Sequence, residues 1–225
     1  MNATPNPLFL RVSVYLGYLA IAGLLILHFL SPEFDPSWRM ISEYAYGSYG
    51  WLLQMFFFAW AASTYSLVAG LFPLTGNIWS KIGLFLLLLS GVGELMGGLF
   101  DIRHPLHGAA FGLGVPPIPV AALLIGYYLI RHYPINRRVV LWSSHLTWIS
   151  VGLLAITMML FISGLQKAGL FHPESGKAPE YIPADVIALI GYTNRLMVLC
   201  DLAWLIIIGS QLLRVLRGEP NRRPD

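Results

Sequence analysis

Residues 99–108, LFDIRHPLHG, set an aspartate, an arginine and two histidines into ten positions flanked by long apolar runs. Histidine and carboxylate ligands with one open position suit a zinc ion that activates water. Asp101, His104 and His107 are therefore a candidate metal set, although their spacing is not a recognised zinc signature and both histidines also suit headgroup water. Ser42 offers a second chemistry. With His107 as base and Asp101 or Glu43 as orienting acid it would form a nucleophilic triad of the serine hydrolase kind. No G-x-S-x-G elbow flanks Ser42, and Ser42 followed by Glu43 equally reads as the cap of the next helix. His172 joins the same set of polar residues near one membrane face.

Glu94, Arg195 and Asp201 stand inside apolar runs. An ionisable side chain there costs about 2.5–3.5 kcal/mol on insertion scales and is a functional candidate by default. His145 is a fourth such residue. Arg195, with Asn194, Glu94 and the loop residue Glu43, forms a candidate ligand-binding set. A guanidinium within the bilayer would hold an anionic lipid headgroup or a small carboxylate bidentately, with Glu94 or Asp201 as a proton relay. The plainer alternative is an arginine–glutamate pair that only fixes helix packing. Ser90, Glu94, Gly97 and Asp101 follow a 4-3-4 spacing, which puts them on one face of a helix. LFDIRHPLHG thus continues a polar stripe, and this favours a site over a simple turn.

The elements that must position these residues are membrane helices. Only 11% of the 225 residues are charged and 56% are hydrophobic, against about 25% charged in soluble domains. Six apolar runs, about 9–30, 50–73, 80–100, 106–131, 139–163 and 185–213, reach the roughly 20 residues that span a bilayer as a helix. None alternates as a barrel strand would. The expected fold is all-α: a polytopic membrane protein with six transmembrane helices forming one domain over residues 1–225. The first run is too long for a signal-peptide core and no basic segment precedes it, so it reads as a retained helix. Basic residues number nine on the side of the N-terminus, the 2–3 and 4–5 loops and the C-terminus, against four on the other side. The positive-inside rule then places both termini in the cytoplasm, with the basic tail near anionic lipid.

Within the third helix, Gly93 and Gly97 form a small-xxx-small pair that lets another backbone approach. The fourth carries GLGVPPIP, whose prolines free the carbonyls of Gly112, Leu113 and Val115. Counted at about 1.5 Å per residue, Arg195 lies close to the depth of these carbonyls below the outer face, and the expectation is that it donates to them and to Glu94 or Asp101 in one buried network. Several classes drop out. Cys200 is the only cysteine, so no intramolecular disulfide or thiol-metal cluster forms. Phosphate-loop and dinucleotide motifs are absent, which leaves nucleotides and nucleic acid without support. Haem would need histidines at matched depth on facing helices, and His28, His107, His132 and His145 do not offer them.

MISEYAYGSYGWL after the first helix, GGLFD ending the third, a histidine opening the fourth and GYTNRLMVLCDLAW in the sixth are together specific. They resemble a six-helix bacterial and archaeal family catalogued only as domain of unknown function 998. The resemblance covers nearly the whole chain and singles out Ser42, Glu43, Asp101, His107, Arg195 and Trp204. It implies a prokaryotic plasma membrane and carries no activity with it. The expectation is an integral membrane protein with a polar, outward-facing intramembrane site that binds or transports a lipid or small amphiphile. A membrane-embedded hydrolase using Ser42, Asp101 and His107, with or without zinc, is the alternative, and a purely structural role is the third.

Overall fold

The computed structural model describes residues 5–171 and 181–219; His172 lies outside them. All regular structure among these residues is helical. Six helices are long and apolar enough to cross a membrane. They are α1 (Pro7–Leu30), α2 (Gly50–Leu71), α3 (Ile78–Leu99), α6 (Arg137–Lys167), α7 (Ile190–Leu216) and a broken span made of α4 (His107–Gly114) and α5 (Pro117–His132). The last span begins at Ile190 rather than near 185, because Pro183 falls in the segment ahead of it and the backbone turns there, Val186 N–H bonding the Pro183 carbonyl.

The two ends of the bundle are built differently. At the short-loop end, α1, α3 and α6 each start on an asparagine, Asn6, Asn77 and Asn136, whose side chain accepts a backbone N–H of the first turn, the usual remedy for the unpaired donors there. At the long-loop end, α2, α4 and α7 start on Tyr49, Leu106 and Leu189 with no side-chain cap. Ser42 is not the cap of α2: it lies in a separate 3₁₀ helix, Ile41–Tyr46, several residues upstream.

The spans pack as a closed ring in chain order, α1 against α2, α2 against α3, α3 against α4 and α5, α5 against α6, α6 against α7, and α7 back against α1. Helix α7 is the inner one: 67% of its apolar window is buried inside the protein, against 28% for α1 and α6. Two glycines permit contacts that decide the site. A Cβ on Gly93 would lie 2.1 Å from the Gly114 nitrogen, so α3 and α4 touch backbone to backbone. A Cβ on Gly191 would lie 2.4 Å from the Pro36 carbonyl oxygen, so the segment after α1 rests directly on the first turn of α7. The break in the fourth span falls where the prolines require it. Helix α4 stops at Gly114, and Pro117 opens α5 in the first-turn position that lacks nothing by having no N–H.

Candidate functional site

The close α3–α4 contact holds α4 against α3 and leaves a cavity of about 290 Å³ between α4 on one side and α6 and α7 on the other. Helix α3 contributes Gly93 and Glu94, α2 Phe57 and Trp60, α4 His107, Gly108, Ala110 and Phe111, α6 Met158, and α7 Asn194, Met197 and Val198. Met40, Ile41 and Ser42 roof it from the long-loop end. The lining is apolar apart from Ser42, Glu94, His107 and Asn194, with the Trp60 indole as a polar edge.

Glu94 is 2% exposed. Its carboxyl accepts the Thr64 hydroxyl at 2.7 Å and the Ser90 hydroxyl at 3.2 Å. The same Ser90 hydroxyl faces the Gly114 carbonyl, a group left over where the helix breaks, and shares its one proton between the two acceptors, so one serine ties the acid to the end of α4. Asn194 accepts the Ile41 N–H at 2.9 Å and fixes the roof. His107 sits in the first turn of α4, with Nδ1 3.0 Å from the Phe100 carbonyl. A carbonyl only accepts, so Nδ1 carries a proton.

Arg195 does not meet Glu94, Asp101 or the carbonyls of the fourth span. Its guanidinium donates to the carbonyls of Arg39 at 2.7 Å, Gly191 at 3.0 Å and Pro36 at 3.4 Å, and to the Tyr44 hydroxyl at 2.9 Å. The acceptors are supplied by the loop that folds back over α7, where Gly191 N–H also bonds the Ser37 carbonyl. Tyr44 is bonded in turn to His28 Nδ1 at 3.2 Å. Arg195 is thus a clamp on the 36–44 segment. Glu43 lies in the same roof, 3.5 Å from Arg39, and Arg39 stands 4.1 Å over the Trp38 ring. Burial pushes the Glu43 carboxyl above its ordinary pKa, and the Arg39 charge opposes that only in part.

The residues of LFDIRHPLHG diverge. Asp101 is held by the Arg103 backbone N–H and guanidinium, and hydrogen bonding to that side chain keeps its pKa below the ordinary value. It lines a second, polar pocket of about 340 Å³ with Gln54, Gly97 and Arg103. His104 stacks on Phe100 at 4.5 Å between ring centres and accepts the Leu106 N–H at Nδ1. Asp101, His104 and His107 therefore face local partners of their own. Among the described residues no group of three or more His, Cys, Asp or Glu is placed to hold a metal ion. Of the expected site residues, Ser42, Glu94, His107 and Asn194 come together in one cavity, while Asp101, His104, Glu43 and Arg195 lie outside its lining.

Three participants were not anticipated. Phe57, Trp60 and Thr64 fall on one face of α2, three and four residues apart, and Thr64 is the only polar residue of that face to reach Glu94. The buried Trp60 Nε1 and both carboxyl oxygens of Asp201 have no hydrogen-bond partner.

A family model described as protein of unknown function (DUF998) matches residues 16–211. No curated protein matches the chain, and no solved structure does.

Proposed function

The chain belongs to the DUF998 family, and we propose that it binds a small amphiphile drawn from the bilayer in the cavity beside α4. One observation carries this reading: a partly open apolar cavity within the spans, with a few polar groups gathered at fixed positions, which is the usual make-up of a small-molecule site. Its volume is near the low end of such sites, so the occupant is small or only partly enclosed. Phe111 lines the cavity and is 39% exposed, which supports entry sideways from lipid past α4. The nine-to-four distribution of basic residues supports a roof facing away from the cytoplasm, with both termini inside.

Gly108 gives the test. A Cβ there meets nothing within 4 Å, so Gly108→Trp fills the space without disturbing the α3–α4 contact. Native mass spectrometry of protein extracted from membranes should show a bound small amphiphile that the variant lacks. The same bound species in both proteins, or none in either, refutes the reading.

The hydrolase alternative has one observation in its favour: Ser42 and His107 line the same cavity, and the Phe100 carbonyl orients the imidazole as the acid of a triad would. A fluorophosphonate probe that labels wild type and spares both Ser42→Ala and His107→Ala would support it; no labelling refutes it.

A further inference from the structure

Glu94 is the one acid among the described residues that line the cavity, and no Lys or Arg is among them. The nearest cation in sequence to the lining residue Asn194 is Arg195, whose terminal Nη donors are engaged on the roof and on its own helix, its buried Nε alone lacking a partner. One turn beyond the lining residues Met197 and Val198, Asp201 is 0% exposed and unpartnered at both oxygens. Thr64 and Ser90 occupy one position on each Glu94 oxygen, and a carboxylate has about four lone-pair sites to offer.

The remaining wall is aromatic. Phe57, Trp60 and Phe111 all line the space, and ring faces attract a desolvated cation. The Trp60 indole N–H is buried and has no acceptor within the protein. An anionic headgroup would meet an acid in the cavity wall, a second acid below it, and no Lys or Arg among the described lining residues. We infer, resting on the reading of the cavity as an amphiphile site, that its ligand is a lipophilic cation, an organic ammonium with a compact apolar body, drawn in by Glu94 and the aromatic wall.

The experiment compares headgroups on one body. Full-length protein in zwitterionic-lipid nanodiscs is dialysed to equilibrium with labelled 4-phenylbutyltrimethylammonium, 4-phenylbutanol and 4-phenylbutyrate, with empty nanodiscs subtracted. The expected order is ammonium about tenfold or more tighter than the alcohol, a difference of the size expected for a hydrogen bond or contact to a charged group, with the carboxylate weakest. Glu94→Gln should bring the ammonium down to the alcohol, Glu94→Asp should keep the preference, and Gly108→Trp should weaken all three. If Glu94→Gln does not fold, the wild-type order decides. Alcohol or carboxylate bound as tightly as the ammonium, and lost in Gly108→Trp, overturns the cation while keeping the cavity. Binding of none of the three, or binding indifferent to Gly108→Trp, overturns both.

Discussion

Replacing Arg195 by methionine isolates the clamp from everything else in the site. The side chain makes three bonds of 2.7 to 3.0 Å, to the Arg39 carbonyl, the Tyr44 hydroxyl and the Gly191 carbonyl; the fourth, at 3.4 Å, is too long to count for much. At the soluble-protein figure for bonds to charged groups, about 1.5–3 kcal/mol each, the set would be worth roughly 5–9 kcal/mol. Side-chain bonds within membrane proteins average about 0.6 kcal/mol, because an unfolded chain in lipid also finds partners. Arg195 is part-exposed at the rim, where water and headgroups offer partners too, so the lower figure governs and the expected loss is about 2 kcal/mol. That is roughly thirtyfold in an equilibrium constant. Reversible unfolding in mixed micelles reads the global loss. The local opening is read by maleimide labelling of Ser42→Cys in a Cys200→Ser background, which should accelerate by up to about thirtyfold. Arg195→Lys should fall between, since an ammonium keeps the charge without the planar fork. Stability and labelling both unchanged in Arg195→Met would refute the clamp.

Three further outcomes are expected. Gly93→Ala should destabilise the protein by about 1–3 kcal/mol, as overpacking does, because its new methyl meets the Gly114 backbone, whereas Gly108→Ala should be neutral; thermal unfolding of the two in detergent compares them. Glu43 has a raised folded pKa, so its ionisation disfavours the fold. The roof should be firmest at and below about pH 4.5, the unfolded value, and loosen as pH rises through the folded pKa. Amide exchange over 36–46, corrected for intrinsic rates, should show that loosening in wild type and not in Glu43→Gln; a pH-independent wild type refutes it. Since Asp101, His104 and His107 are engaged with separate local partners, His104→Ala should leave the metal content of purified protein unchanged by elemental analysis, and loss of a stoichiometric zinc would refute that.

Much of the architecture was legible because it depends on length, periodicity and backbone chemistry. Six apolar runs can only be spans, the 4-3-4 stripe did place Ser90 and Glu94 on a buried face of α3, and the prolines did break the fourth span. Gly93 was read as a close-approach residue and is one. What failed was partnership. Arg195 was assigned to the carbonyls of the fourth span by matching depth, but its acceptors belong to an irregular loop whose path follows no period. Asp101 was offered partners across the bundle and took Arg103, two residues away, since a turn brings such neighbours together before any helix packs. A polar intramembrane site was expected and Ser42, Glu94, His107 and Asn194 do line one cavity, but its aromatic wall was not legible, because it exists through the way one short helix leans on α3.

The roof has a consequence for the order in which the molecule is made. The bonds that hold it join residues 156 and 159 positions apart, whereas the asparagine caps at the other end close within three residues. At about 5–20 residues per second, the 36–44 segment leaves the ribosome roughly 10–30 s before Arg195 does. Until then it has no anchor on α7, and the space beneath it has no cover. Closure of the cavity therefore waits on the last span, and a chain halted before it has neither the anchor of the roof nor the α7 wall beneath it.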